Sequence, residues 1–426
     1  MRPGPRAARQ AALLLSLAAL SPCGAFAQDS GEVTTPSSDT EDKPSAEEVR
    51  ENVVSAGEDP LQKWHAETQT DEIDERVGRP LKVLLYGSAR LDYTIANSTG
   101  KLGDAGSRFG AFGEWAPSNR LLLFARAEAG LDLIEGFSDL SKSGSKKSED
   151  DDSKVFDRLL YGGIETRRFL LVFGKNWSTY YQVSGFTDEF DSTGGDASGT
   201  YNAGTDGGPT GTGRADLALQ AHISLKGLAE RIGAQSLHLN LQAQDGRPIP
   251  GFDDAKYGVS IGTSGIIRFS KNVELGLAYN FAEIQLADRP ALAAAGINGN
   301  AHAALLGVRW IDNDWYLATT VARLVNHEAT DGLNYFDGWG WEVYARRQIT
   351  TRFSIVGGWN WLKPDADEIQ ANDYRQRYGV IGARYALSRE NGLERYAYVE
   401  WRIDDSREEN GDKVGNSIVL GLRMDL

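Results

Sequence analysis

Cysteine, a basic excess and overall hydrophobicity are what this 426-residue chain lacks. It has one cysteine, Cys23, so neither a disulfide framework nor a thiolate metal cluster can form within it. Mean hydropathy is −0.40. This value excludes a helical membrane protein, but it does not exclude a membrane β-barrel, whose strands alternate in polarity.

The net charge of the chain is −15, from 60 acidic and 45 basic residues. A non-specific nucleic-acid binder would carry a basic excess, so we expect no nucleic-acid partner. The five histidines lack metal-ligand spacing. Neither a phosphate-binding glycine loop nor a nucleophile elbow is present. The sequence therefore predicts no cofactor, no metal and no enzyme activity.

The first 27 residues have the features of a secretory signal peptide. A basic start with Arg2, Arg6 and Arg9 precedes an apolar stretch at 11–20, and residues 25–27 read Ala-Phe-Ala. We expect cleavage before Gln28. A lipoprotein modified at Cys23 is the alternative, but Pro22 stands where a small residue is needed. Cleavage before Gln28 would leave a mature chain with no cysteine, which suits an envelope protein.

Residues 28–80 differ in composition from the rest of the chain. They contain 15 acidic and 5 basic residues, a net charge of −10, with few apolar side chains. Such a segment cannot bury a core, so we expect a largely disordered periplasmic extension. The sequence favours a solvated acidic linker. The alternative is a segment that contacts the cell wall or a partner.

From residue 82 to the end, apolar and polar side chains alternate with period two. Clear runs lie at 83–93, 121–133, 215–225, 237–243 and 273–281. One face of each run carries Leu, Ala and Gly, and the other carries Arg, Glu, Asp, His and Asn. This pattern indicates an apolar band facing lipid and a polar lumen. The sheet must then close, because an open edge in hydrocarbon leaves backbone groups unpaired.

The segments between these runs alternate in length. Short turns are predicted at 116–120, 166–168, 226–235, 270–272, 312–314, 348–352 and 388–394. Longer loops are predicted at 96–106, 138–153, 177–213, 245–255, 283–299, 328–337, 363–373 and 406–413. Seven turns and eight loops connect sixteen strands with both ends on the periplasmic side. The predicted fold is an all-β, 16-stranded antiparallel transmembrane barrel over residues 81–426.

Several motifs in this region resemble those of the general bacterial porins, the trimeric sixteen-stranded diffusion channels. They occur in porin order from residue 84 to the end: Leu85-Tyr86-Gly87, Ser107-Arg108-Phe109-Gly110, Gly185-Phe186-Thr187-Asp188, Gly213-Arg214 and Gly382-Ala383-Arg384-Tyr385. Each motif is weak alone, and their order carries the resemblance.

The resemblance implies that the third loop, 177–213, folds into the barrel and narrows it between basic wall residues and acidic loop residues. The implied wall residues are Arg108, Arg158 and Arg214. Porins often have a further lysine at the position of Ser88, and here Arg90 lies two residues on, on the same face of the strand. The implied loop residues are Asp188 and Asp196, with Asp191 and Glu189 nearby. Arg108 and Arg214 have the polar parity of their strands, whereas Arg158 shares its parity with Leu160 and Ile164.

The function implied is passive diffusion of small hydrophilic solutes and ions through the outer membrane of a Gram-negative bacterium. We expect weak cation selectivity, set by Asp188, Asp191 and Asp196. The expected partners are two further copies in a homotrimer, latched through loop 138–153, together with outer-membrane lipid and lipopolysaccharide. The alternatives are a porin selective for anions, sugars or amino acids, an outer-membrane phospholipase and a soluble secreted β-protein.

Overall fold

The computed structural model describes residues 81–134, 155–166, 168–285, 290–390 and 393–426. The predicted signal peptide, the acidic extension and loop 138–153 lie outside these residues. Eighteen strand segments are described: β1 (Lys82–Ala96), β2 (Thr99–Asp104), β3 (Ser107–Ser118), β4 (Leu121–Leu131), β5 (Val155–Glu165), β6 (Phe169–Trp177), β7 (Arg214–Ser224), β8 (Ser236–Gln244), β9 (Pro248–Ile249), β10 (Phe252–Arg268), β11 (Val273–Ile284), β12 (Ala301–Ile311), β13 (Trp315–Ala329), β14 (Tyr335–Gln348), β15 (Phe353–Pro364), β16 (Gln376–Glu390), β17 (Leu393–Asp404) and β18 (Ser417–Asp425).

These segments form one closed antiparallel meander. Each barrel strand pairs with its neighbours along the chain, and β18 pairs with β1 to close the sheet. Both β2 and β3 pair with β1, so together they make one barrel strand, interrupted at 105–106. The two-residue β9 pairs with the first residues of β10. The wall therefore has sixteen strands, which confirms the predicted fold class.

Alternation along the strands separates a lipid-facing side from a lumen. In β7, Leu217 and Leu219 are 48% and 55% exposed, whereas Ala218 and Gln220 are each 1% exposed. The apolar side chains of one parity thus cover the outside, and the other parity faces inward. This is the arrangement that a bilayer requires, because the backbone is satisfied within the sheet and the outer surface is apolar.

Two connections are shorter than the sequence predicts. The predicted loop 96–106 is a tight hairpin, in which Asn97 and Ser98 have φ values of 48° and 65°. Two successive residues with positive φ fit the twist of a two-residue hairpin, so polar residues 99–104 continue the sheet as β2. The predicted turn 388–394 is also short, because β16 runs to Glu390 and β17 begins at Leu393.

The helices of the described residues are short: α1 (Tyr181–Ser184), α2 (Lys226–Arg231) and α3 (Pro290–Ala294), with 3₁₀ turns η1 (Asn202–Gly204) and η2 (Ile369–Ala371). Within the described ranges, no helix has the length and apolar character needed to cross a membrane. Only α1 and η1 belong to the long connection 178–213, which lies between β6 and β7.

Candidate pore constriction

Residues 178–213 pack against inward-facing side chains of the barrel. Tyr180, Val183 and Phe186 are almost fully buried, and they share a hydrophobic cluster with Leu324 and Tyr344 of the wall. Because wall residues of the inward parity supply these contacts, the segment occupies part of the lumen. The third loop therefore reduces the cross-section of the barrel on the side of β10–β15.

Glu342 of β14 anchors the returning part of this loop. One of its carboxylate oxygens accepts hydrogen bonds from the backbone N–H groups of Ala197 and Ser198, at 2.7 and 2.9 Å. The hydroxyl of Thr187 donates to the other oxygen. Two residues before Glu342, Gly340 leaves room for this approach, since a Cβ there would lie 1.6 Å from the carbonyl oxygen of Ala197.

Glu400 of β17 holds the tip of the loop in a similar way. Its carboxylate accepts hydrogen bonds from the backbone N–H groups of Asp191 and Ser192, at 2.8 and 3.2 Å, and from the Thr193 hydroxyl at 3.0 Å. A carboxylate that accepts several N–H bonds is a strong anchor. Glu342 and Glu400 therefore fix the two edges of the loop to the wall.

Uncharged side chains hold the last part of the loop on the side of β8–β11. Gln242 and Gln244 donate to the carbonyl oxygens of Gly211 and Gly208, each at 2.8 Å. Asn280 donates to the carbonyl oxygen of Thr210 at 2.9 Å. These three side chains are polar but neutral, so they position the loop without adding charge to the lumen.

The loop acids have direct partners that the sequence analysis missed. Arg384 of β16 donates to Asp191 with an Nε–Oδ2 distance of 2.6 Å, and the Tyr396 hydroxyl donates to the other oxygen at 2.6 Å. Arg402 of β17 lies 3.9 Å from the carboxylate of Asp196. Both arginines have the inward parity of their strands, which is the signal that would have identified them.

Asp188 lies deeper, between two tyrosines. The hydroxyls of Tyr201 and Tyr181 donate to the same carboxylate oxygen, at 2.6 and 3.1 Å. Burial raises the pKa of Asp188, although these two hydrogen bonds oppose the rise. Among the wall arginines predicted from the sequence, Arg214 is the one whose charge acts on Asp188.

Glu189 is also a buried acid of the loop. Burial raises the pKa of its carboxyl to about 7, against the opposing effect of Arg346, Arg384 and Arg309. Burial likewise raises the pKa of Asp196. The negative charge of the loop therefore depends on pH near neutrality, chiefly through Glu189.

The wall arginines predicted from the sequence lie on β1, β3, β5 and β7, away from the β10–β15 side against which the loop packs. Arg108 is close enough to Arg90, Arg158 and Glu128 for their charges to interact. Arg214 lies near Arg158 and stacks its guanidinium over Trp177, with 5.7 Å from its central carbon to the ring centre. The structure thus brings Arg90, Arg108, Arg158 and Arg214 into one basic cluster.

Glu128 of β4 is the acid inside this cluster. Its carboxylate lies 2.8 Å from Arg158 Nε and 3.0 Å from an Arg126 nitrogen, and the Tyr86 hydroxyl donates to it at 3.0 Å. Glu128 and Arg126 have inward parity, so sequence parity alone would have included them. Glu128 offsets part of the repulsion between neighbouring guanidinium groups.

A β-bulge explains why Arg158 reaches the lumen despite its parity. Glu128 pairs with Leu159 and Ala129 pairs with Asp157, so Arg158 is an extra residue opposite this step. Leu159 is 2% exposed and faces inward, whereas Leu160 is 63% exposed and faces lipid. The bulge re-aims Arg158 from the outward to the inward side.

An acidic cleft of about 350 Å³ lies between the loop and β1–β2. Asp92 and Asp104 line it from the wall, and Asp188 and Asp191 line it from the loop. None of the described residues that line it is basic. Acidic side chains therefore lie beside the loop tip, near the basic cluster that includes Arg90.

Comparisons with known proteins agree with this geometry. No protein-family model matches the chain. It is 24% identical over 361 residues to the outer membrane porin PhoE of Enterobacter cloacae, covering 84% of this chain and 94% of that protein. The chain is similar in sequence to an outer-membrane porin.

Solved structures show the same fold at lower identity. Salmonella typhi OmpF, in complex with daunomycin, superposes with a TM-score of 0.65 at 17% identity, covering 81% of this chain and 98% of OmpF. The trimer form of Vibrio cholerae OmpT gives 0.55 at 15% identity, covering 82% and 100%. An anion-selective porin from Comamonas acidovorans gives 0.57 at 13% identity, also covering 82% and 100%. The fold is that of the porins, and the chain is a multi-pass β-barrel of the Gram-negative outer membrane.

Proposed function

We propose that this chain is a porin, a water-filled channel through which small hydrophilic solutes and ions diffuse passively across the outer membrane. The observation that carries the proposal is a closed barrel whose lumen holds an anchored loop between a basic cluster and an acidic cleft. Charges that face each other across a narrow, low-dielectric passage sort solutes by size and charge without tight binding. The porin relatives and the porin fold support a channel rather than an enzyme.

We further propose that the channel is weakly cation-selective and that Asp188, Asp191 and Asp196 set this selectivity. The acidic cleft supports this proposal, because Asp92 and Asp104 add wall carboxylates beside those of the loop. Charges at the narrowest point act at close range, whereas charges on external loops are screened over about 8 Å at physiological salt. Local residues should therefore decide the ion preference.

A porin selective for anions or for particular solutes is the second candidate. The basic cluster favours it, since nitrogens of Arg90, Arg108 and Arg214 are buried without a hydrogen-bond partner. A fold neighbour described as an anion-selective porin supports the same alternative. Sugars and amino acids remain in this second class, and the ion preference of the channel separates it from the first.

The chain is expected to work as a homotrimer in contact with outer-membrane lipid and lipopolysaccharide. Support for the trimer is the porin fold, shared with a structure described as a trimer form. The apolar outer face of the barrel supports the contact with lipid. The latch through loop 138–153 and the roles of residues 1–27 and 28–80 stay proposals from the sequence.

Planar-bilayer conductance of the mature protein tests the channel and its selectivity together. We expect ohmic steps and a reversal potential in a salt gradient that indicates weak cation preference. The triple variant Asp188→Asn, Asp191→Asn, Asp196→Asn should shift this potential toward anions, and Arg108→Ser should shift it toward cations.

The variants separate the two levels of the proposal. Absence of conductance steps from correctly folded wild type would refute the channel. An unchanged reversal potential in the folded triple variant would refute the role of the loop acids, although the channel itself would stand. Anion preference of the wild type would favour the second candidate.

A further inference from the structure

Four consecutive periplasmic turns of the barrel carry exposed basic side chains. Their five basic residues, which we name the basic arc, are Arg120, Arg168, Lys226, Arg231 and Lys271. The turns follow β3, β5, β7 and β10, so they are neighbours along the rim. Among the described residues, none of these five side chains forms an ion pair.

The basic arc is bounded along the rim. The turn after β12 carries Asp312 and Asp314 instead of basic residues, and Glu230 is the exposed acid within the arc itself. An excess of one charge sign over four adjacent turns produces a local positive potential on the periplasmic side. Such a surface fits a partner that is rich in carboxylates or phosphates.

The acidic segment 28–80 joins the barrel beside this surface. The described chain begins at Leu81, and β1 starts at Lys82. Lys82 pairs with Glu114 of β3, the strand that leads into the first turn of the arc, which contains Arg120. With 15 acidic and 5 basic residues, the segment complements the arc in charge and is attached at one end of it.

The length of the segment suffices to cover the arc. From β1 to β10 and β11 the rim spans about eight strand spacings, or roughly 40 Å. A flexible chain of this length has a root-mean-square end-to-end distance of about 40 Å. A segment of this length is therefore long enough to reach along the whole arc.

We propose that residues 28–80 dock on the basic arc, so that the acidic segment lies along the periplasmic mouth of its own barrel. The attraction is electrostatic and is strengthened by attachment, which keeps the two surfaces at a high effective concentration. Docked carboxylates at the mouth attract cations toward the lumen. The inference is independent of the ion preference proposed above.

Anionic phospholipid headgroups of the inner leaflet are negatively charged like the segment, and they are the competing occupant of the arc. We commit to the segment because it is tethered beside Arg120. The experiment below includes membranes with and without anionic lipid, so the two occupants give different results.

Distances between spin labels on the full chain test the docking. In a Cys23→Ser background, labels at Ser55→Cys and Gln235→Cys report the distance from the segment to the turn that holds α2, with labelled chains diluted in unlabelled ones. At low salt, in neutral detergent and in phosphatidylcholine vesicles, we expect a dominant short-distance population. Salt at about 1 M, where the screening length is about 3 Å, should reduce that population by at least about half.

Charge reversal in the arc is the decisive variant. Lys226→Glu with Arg231→Glu should abolish the short-distance population, whereas Arg352→Glu with Lys413→Glu, which changes the net charge equally outside the arc, should leave it intact. Equal loss in both variants, or no loss in the first, would overturn the proposal. A short-distance population that disappears in vesicles containing phosphatidylglycerol would assign the arc to lipid and would also overturn it.

Discussion

Arg384 and Asp191 form an ion pair where the third loop meets the wall, with 2.6 Å between Nε and Oδ2. The side chains are 15% and 8% exposed, so solvent screens the pair only partly. Glu400 holds the backbone of Asp191 in place. The charge of Asp191 is therefore offset by a wall arginine on its own side of the passage, and the ion preference of the channel depends on both members of the pair.

The first prediction concerns this pair. Asp191→Asn should leave the Arg384 charge uncompensated and shift the reversal potential toward anions. Arg384→Gln should expose the Asp191 charge and shift it toward cations. The double variant should return close to wild type, because the charges are removed together. If Arg384→Gln alone leaves the reversal potential unchanged in the same salt gradient, the arginine does not offset the Asp191 charge.

The second prediction is a pH dependence that arises from Glu189. Its pKa is raised to about 7 by burial, so the carboxyl is charged above this pH and neutral below it. Cation preference should therefore fall as the pH is lowered from about 8 to 6, where isolated glutamates stay ionised. Glu189→Gln should remove this step in the reversal potential. A step that persists in the variant would assign it to another group.

The third prediction concerns the close approach of the loop to β14. Gly340→Ala places a methyl group where the carbonyl oxygen of Ala197 lies, so the loop must move away from Glu342. We expect a larger and more variable single-channel conductance from an assembled barrel.

Gly357→Ala on the neighbouring strand is the matched control. A Cβ at Gly357 would meet its nearest atom, the carbonyl oxygen of Val380, at an ordinary 3.5 Å. Its conductance should equal that of wild type. If Gly340→Ala conducts like Gly357→Ala, the loop does not limit the current.

The fourth prediction concerns stability. Removing the carboxylate in Glu128→Ala leaves Arg126 and Arg158 without their shared acid, and breaking a buried pair from one side costs about 3 kcal/mol. The barrel should lose its heat-modifiable migration in detergent gels at a lower temperature than wild type. Glu128→Gln, which keeps hydrogen-bonding atoms, should lose this migration at a temperature between those of Glu128→Ala and wild type. Equal melting of all three proteins would contradict a structural role for Glu128.

Much of the architecture follows from the sequence, because barrel strands carry a local pattern. Period-two alternation identified the lipid-facing and lumen-facing parities, and turn spacing predicted sixteen strands. The same parity placed Arg108 and Arg214 inside, and it would have placed Arg384 and Arg402 there as well. The prediction of a long loop at 96–106 was wrong. Residues 97–104 have the polar composition of a loop, but they form a two-residue hairpin and a short strand.

Tertiary structure decided the relationships that parity cannot encode. Arg158 faces the lumen because a bulge against β4 adds a residue to its strand, and a bulge depends on the partner strand rather than on local alternation. The pairing of Asp191 with Arg384 joins residues that are 193 positions apart. The anchoring of the loop by Glu342 and Glu400 likewise depends on where barrel closure brings distant strands. The sequence by itself determined which side chains face inward, and the closed barrel determined which of them meet.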